Sequence, residues 1–333
     1  FLAVFVICMT KYPLLLPYMC TKKVIVSKAF KVVTLGCRAN QYESQVIRGQ
    51  LKGIGYVEVG GGEQADICII NTCTVTTSAD SHSRNAIRRE VKKNAGATIV
   101  VTGCLAERDA AMIEGIEGVT HIVPNNDKES LVALIAPDVE VPAFVLKSYS
   151  GKTRAFVKIQ DGCDSYCTYC IIPSVRGTPR SRDHKEIFAE VEALVQQGYK
   201  EVVLTGINIG TFGKDKGYEY KLADLIVDLE KIEGLQRLRL SSISPLDIDE
   251  ALLQCFADSE VLCPSAHMVL QSGSDAVLRR MNRSYTQEQF VAAAKTLRDI
   301  DPDFAFTTDV IVGFPGETEE DCEETLAVIR EVG

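Results

Sequence analysis

The chain has no tryptophan, which excludes nothing by itself, and only four histidines. His82, His121, His184 and His267 show no metal-ligand spacing, so a histidine-based metal site has no support. Low-complexity segments and short internal repeats are also missing, which sets repeat architectures aside. Positive charge is not in excess: 45 acidic residues against 36 basic ones give a formal charge of −9. The chain is therefore no polycation, and any nucleic-acid contact must come from local basic patches. No apolar run has bilayer length. Residues 1–20 are largely apolar but are broken by Thr10, Lys11, Tyr12 and Pro13, short of the ~20 residues that a span needs. They show neither the basic start nor the small-residue cleavage site of a secretory signal. Residues 1–29 read as an extension, with Met9 or Met19 as candidate starts, and the expectation is a cytoplasmic protein with no membrane partner.

What is abundant is cysteine, with twelve residues. A chain this long, with an ordinary core-forming composition, is not a small secreted disulfide scaffold. The economical reading is a cytosolic metalloprotein with reduced thiols.

From about residue 30, β-rich runs alternate with helical patterns: KVVTL (31–35), DICIIN (66–71), a helix over 78–93, then TIVVTG (98–103). Such alternation implies βαβ units and a parallel sheet. Residues 137–153 hold two prolines, lose helical period and read as a linker. A second βα series follows, with strands expected at 154–160, 201–206, 237–242, 267–272 and 304–314. The fold class is thus α/β: an open parallel-sheet βαβ domain over 30–136, then a partial (β/α) barrel over 154–333. Gly333 ends a helical pattern with no stop signal, so a natural C-terminus is not expected there.

Cys37, Cys73 and Cys104 each follow a predicted strand end by one or two residues. In an open parallel sheet those ends lie along one edge, where ligands bind, so the three can converge; the bland alternative is three core cysteines. The sharper signal is Cys163-Asp-Ser-Tyr-Cys167-Thr-Tyr-Cys170, a C-x3-C-x2-C loop after a strand. Three thiolates on a cubane iron–sulfur cluster leave one iron without a protein ligand, open for chemistry. Zinc is the rival, although the nearest fourth ligand, His184, is poorly spaced. Cys8, Cys20, Cys68, Cys255, Cys263 and Cys322 have no such placement.

The Cys163 loop, with Tyr169 before its last cysteine, resembles the radical S-adenosylmethionine signature. The flanks VKIQDGCDSYCTYCIIPSVRGTPRSR (157–182), LTGINIGTFG (204–213), LQSGSDAVLRRMNRSYT (270–286) and TDVIVGFPGETEED (308–321) resemble the methylthiotransferase family of radical enzymes. So do TLGCRANQYES (34–44), INTCTVT (70–76) and TGCLAER (102–108) in the first half. After the first cysteine, Arg38-Ala39-Asn40-Gln41 resembles the branch acting on threonylcarbamoyladenosine in tRNA. It lacks the proline and lysine of the ribosomal-protein branch and the Gln-Met-Asn of the isopentenyladenosine branch.

The resemblance implies a radical S-adenosylmethionine barrel and two [4Fe–4S] clusters, one on Cys163, Cys167 and Cys170, the other on Cys37, Cys73 and Cys104. It implies two uses of S-adenosylmethionine, one for the methyl group and one for a 5′-deoxyadenosyl radical. It implies methylthiolation at carbon 2 of the modified adenine at tRNA position 37, with a low-potential electron donor and a sulfur donor as further partners. Gly206 and Asn208, at a strand end, resemble the adenosylmethionine-contacting segment; Gln271, Ser272 and Asp309 are further cofactor candidates near strand ends. Family members carry a small RNA-binding β domain after the barrel, which is not visible here.

Basic groups are the candidate RNA contacts. Arg84, Arg88 and Lys92 share one helix face, with Arg89 and Lys93 beside it. Arg176, Arg180 and Arg182 form a second group, and Arg279, Arg280 and Arg283 a third. A solvated charged face is the alternative in each case.

Overall fold

The computed structural model describes residues 27–147, 153–217 and 219–333. Most of the expected extension, and residues 148–152 of the expected linker, lie outside the described residues. Among the described residues no helix is long and apolar enough to cross a membrane.

The first half is a five-stranded parallel sheet. Its strands are β1 (Ala29–Thr34), β2 (Val57–Glu58), β3 (Ile67–Thr72), β4 (Thr98–Gly103) and β5 (His121–Val123), in the order β2-β1-β3-β4-β5. Central β3 is buried along its whole length, as its unbroken apolar run requires of a parallel strand covered on both faces. One face carries Phe30, Ile67, Ile69 and Val100; the other carries Cys68, Ile70, Ile99 and Val101. Helices α1 (Arg38–Gly53) and α2 (Thr77–Lys93) follow β1 and β3, and the short α3 (Cys104–Arg108) follows β4.

Five parallel strand positions build the second half. They are β6 (Arg154–Lys158), β9 (Glu201–Thr205), β10 (Arg237–Leu240) continued by β11 (Ser242–Ile243), β12 (Ser265–Met268) and β13 (Ala305–Thr307). A two-residue antiparallel pair, β7 (Gln160–Asp161) with β8 (Arg180–Ser181), brackets the cysteine loop. The last strand is shorter than its apolar run suggests. Thr308 turns its hydroxyl to accept the Leu270 N–H at 2.9 Å, so a side chain takes the donor that a regular ladder would use.

Helix α1 serves both cores. Ile47 and Leu51 pack into the first sheet's core, while Tyr42 and Val46 join the barrel's core with Val157, Val191 and Leu194. A helix apolar on two faces holds the two halves against each other.

Candidate metal and cofactor centre

Sheet register brings the first cysteine trio together. Thr34 pairs with Asn71, and Thr72 pairs with Gly103, so Cys73 and Cys104 leave adjacent strands at the same level. Gly36 makes the close approach possible: at φ +90°, a Cβ there would lie 2.9 Å from the Cys73 Sγ. Gly103, at φ +97°, is equally constrained, since a Cβ would stand 2.3 Å from the Thr72 carbonyl oxygen. Cys37 is the N-cap of α1 and is exposed, whereas Cys73 and Cys104 are buried. Burial pushes the Cys73 thiol up, and the nearby sulfurs of Cys104 and Cys37 push it further.

The second trio lines a cavity of about 620 Å³ with Tyr169, Asn208, Ser244, Asp247, Gln271 and Arg283. Its loop is pinned at each end. Gly162 (φ +74°) precedes Cys163, whose N–H donates to the Gly177 carbonyl at 2.9 Å. Thr168 N–H donates to the Met281 carbonyl, and the Asn282 side-chain amide donates to the carbonyls of Ser165 and Tyr166. Among the described residues the non-glycine positions with positive φ are Tyr166, Gln271 and Asn282. All three lie in or beside this cavity, and strain of this kind gathers where a site is built. The Arg283 guanidinium donates to the Cys167 Sγ at 3.1 Å and stacks 4.8 Å from the Tyr285 ring centroid. Tyr169 meets Phe314 edge-on at 6.4 Å.

Among the described residues no three Cys, His, Asp or Glu side chains stand close enough to hold one metal ion. Zinc would draw its ligands to within about 2.0–2.3 Å of a single point. In a cubane each thiolate binds a different iron, so the sulfurs ring a cluster instead of converging. Three thiolates and no nearby histidine suit a cubane that keeps one iron open.

The cofactor candidates divide. Asn208 and Gln271 line the cavity. Gly206 sits where a Cβ would come within 2.9 Å of the Gln160 carbonyl, and Gln160 Oε1 accepts the N–H groups of Ile207 and Asn208. Ser272 is fully buried and bonds Thr325 and the Ser274 N–H; it packs structure and does not line the cavity. Asp309 is exposed, with one carboxylate oxygen 3.3 Å from His267 Nε2, and its backbone carbonyl is what reaches Gln271.

Of the RNA candidates, Arg88, Arg89 and Lys92 are exposed on α2 and Arg84 is half-buried against Ser81. Arg180 is exposed as well. The second basic group is otherwise corrected. Arg176 is 1% exposed, and its guanidinium donates to Glu43, Asp161 and Asn40. Arg182 donates to the Tyr42 hydroxyl, the Lys158 carbonyl and Glu190. Arg176 cannot reach a phosphate, because its guanidinium is spent on buried acceptors between the two halves, and Arg182 is part-buried beside it. In the third group Arg279 is exposed, Arg280 pairs with Asp321, and Arg283 belongs to the cysteine cavity.

The contacts of Arg176 are part of a buried ionic network joining the halves. Lys128 donates to Glu43 at 2.6 Å, and Lys158 donates to Glu43 and Asp161 at 2.8 and 2.9 Å. Burial pushes the Asp161 carboxyl up, but Lys158 and Arg176 outweigh it and hold the group at about 2. Burial likewise opposes ionisation of Glu43, and Arg176, Lys128 and Lys158 together bring it well below the usual carboxylate range. A carboxylate depressed in the folded state contributes stability that is complete above its unfolded value near 4 and is lost as pH falls through its folded value. Urea stability therefore drops between about pH 4 and pH 2, and Asp161→Asn makes the drop shallower. Parallel curves for the two proteins would remove Asp161 from this account.

Comparison with known proteins supplies the family. Residues 157–329 match the model of the radical SAM superfamily, and residues 29–124 match that of the uncharacterized protein family UPF0004. The chain is 48% identical over 310 residues to a threonylcarbamoyladenosine tRNA methylthiotransferase of Chlamydia pneumoniae, covering 92% of this chain and 73% of that one. A Bacillus subtilis protein of the same name is 40% identical, with 90% and 70% covered. A tRNA-2-methylthio-N(6)-dimethylallyladenosine synthase of Clostridium novyi is 34% identical, with 93% and 73% covered. Among solved structures, the radical S-adenosylmethionine methyltransferase TsrM of Kitasatospora setae, with cobalamin and a [4Fe–4S] cluster bound, superposes with a TM-score of 0.67. It shares 14% identity and covers 92% of this chain and 73% of its own.

Proposed function

Because the chain belongs to the radical S-adenosylmethionine methylthiotransferase family, we propose that it methylthiolates carbon 2 of N6-threonylcarbamoyladenosine at position 37 of tRNA, in the cytoplasm, with an external low-potential electron donor and a sulfur donor. Four relatives named for that substrate, at 37–48% identity, support this reading over the dimethylallyladenosine enzymes at 34–37%. What supports the chemistry is that six cysteines follow strand ends as two trios, the second lining a cavity with Asn208 and Gln271.

Cys163, Cys167 and Cys170 would hold one [4Fe–4S] cluster, and Cys37, Cys73 and Cys104 the second. When bound, these clusters and S-adenosylmethionine supply the radical and the sulfur. The chain's own residues do the rest. Gln160 orients the Ile207–Asn208 segment, Asn282 fixes the loop bearing Cys167, and Arg283 offers a cation to the Cys167 sulfur. Asn208 and Gln271 present polar groups to whatever fills the cavity.

Nucleoside mass spectrometry after incubating reduced, reconstituted protein with tRNA bearing threonylcarbamoyladenosine tests the reading. The expected product is the 2-methylthio derivative. Product from isopentenyladenosine instead, or only a modified ribosomal-protein aspartate, would reassign the substrate.

Helix α2 is the proposed phosphate-contacting face. Arg84→Glu, Arg88→Glu and Arg89→Glu together lower tRNA affinity and flatten its salt dependence by about one logarithmic unit per lost phosphate contact. An unchanged salt slope removes this helix from the binding surface.

A further inference from the structure

The buried charges around Glu43 do not balance. Lys128, Lys158 and Arg176 bring three cations, and Glu43 and Asp161 bring two carboxylates. Arg176, Lys128 and Glu43 show side-chain exposures of 1%, 3% and 2%, while Lys158 and Asp161, at 13% and 15%, line an adjoining polar cavity together with Glu43 and Lys128. The charged groups at the mouth of the adjoining polar cavity, Glu129, Arg180 and Glu186, are exposed and screened. Glu107, on α3, is half-buried and accepts the Asn125 backbone N–H. The Arg182–Glu190 pair balances itself. A surplus cation in such surroundings is strongly unfavourable unless an anion faces it.

The contacts of Arg176 lead to that anion. Its Nη2 donates to Asn40 Oδ1 at 2.6 Å, and the Asn40 amide donates to the carbonyls of Leu35 and Thr72, beside Cys37 and Cys73. The carbonyl of its neighbour Val175 accepts from Asn125, whose amide nitrogen lies 3.9 Å from the Cys104 Sγ. The sulfurs of Cys104 and Cys37 act electrostatically on the guanidinium. Its Nε–H is buried with no partner, a spare donor in the most heavily used side chain of the network.

We propose that Arg176 is the counter-ion of the Cys37–Cys73–Cys104 site. The surplus positive charge of the network is balanced when that trio holds its anionic cluster, so Arg176 sets the reduction potential of the site and links its loading to the docking of the two halves. The inference rests on the two-cluster reading above. Three thiolates on a dicationic cubane core leave a net anion, and reduction makes it more negative. A buried cation beside it favours the reduced state and raises the potential.

The test uses the full chain with Cys163, Cys167 and Cys170 replaced by alanine, so that reconstitution loads the N-terminal trio alone. The potential is followed by electron paramagnetic resonance during titration with dithionite. Arg176→Gln shifts it downward, Arg176→Lys keeps it near the parent value, and Glu43→Gln, which removes a negative charge from the same network, shifts it upward. General loosening of the fold would move the Arg176→Gln and Glu43→Gln proteins in the same direction, and that result, or no shift in either, overturns the proposal. If Arg176→Gln does not fold, the upward shift of Glu43→Gln and the retention by Arg176→Lys decide. A trio that takes up no cluster in the parent protein defeats the two-cluster reading and this inference with it, whereas a loaded cluster with an unmoved potential defeats the inference alone.

Discussion

Replacing any one of Cys163, Cys167 and Cys170 by alanine abolishes reductive cleavage of S-adenosylmethionine, while replacing Cys37, Cys73 or Cys104 leaves that cleavage intact and abolishes methylthiolation. The split follows from the geometry. The cavity that contains Asn208 and Gln271 is lined by the second trio only, and the first trio stands at the edge of a different sheet. Each class of variant also loses about half of the reconstituted iron, since each trio serves its own cubane. 5′-Deoxyadenosine and methylthio-nucleoside are quantified in the same reaction. Loss of 5′-deoxyadenosine in the Cys73→Ala protein, with its remaining iron intact, would show that the two sites are not separable and would sink the assignment of roles.

The second large effect comes from a glycine. In the Gly162→Ala protein the added Cβ is placed 2.0 Å from the Thr178 carbonyl oxygen and 2.7 Å from that of Gly177, on a backbone at φ +74°. Neither obstacle is a flexible side-chain tip; both are backbone in the segment that closes the cysteine loop through the Cys163–Gly177 hydrogen bond. Strained backbone and forced overpacking together cost roughly 2–5 kcal/mol. The urea midpoint of the apoprotein falls accordingly, and reconstitution of the second-trio cluster fails with it. Gly198→Ala is the control, since it shares a positive φ but has nothing within 4 Å of the added atom; it pays only the backbone strain. Equal urea midpoints for the two variants would falsify the packing argument.

The strand-end placement of the cysteines was legible because its signals are local. A β-rich run, a small residue and a cysteine recur at Thr34-Leu35-Gly36-Cys37, Thr102-Gly103-Cys104 and Asp161-Gly162-Cys163, and in a parallel sheet strand ends share an edge. The ionic network was not legible. Arg176 meets Asn40 across 136 residues and Lys158 meets Glu43 across 115, and nothing beside Arg176 in sequence marks it as internal. Its neighbour Arg180, four residues on, is exposed, so a shared basic group concealed two opposite fates. Ser272 misled for a related reason. Its hydroxyl is satisfied by Thr325, 53 residues away, and a polar residue at a strand end reads as a ligand contact until that partner is known. Asp247 and Arg283 entered the cavity through loops and a short helix end whose paths no periodicity foretells, although the left-handed Asn282 beside Arg283 is of a residue type that tolerates such a turn.

Helix α1 divides its apolar surface between two interiors, with Tyr42 and Val46 turned one way and Ile47 and Leu51 the other. Cutting the chain between the halves would therefore not release two self-sufficient pieces. The amino-terminal fragment would bare an aromatic ring and a valine to water, the carboxy-terminal fragment would be left with a groove and unmatched lysine and arginine heads, and each would tend to aggregate unless both were made together in one cell.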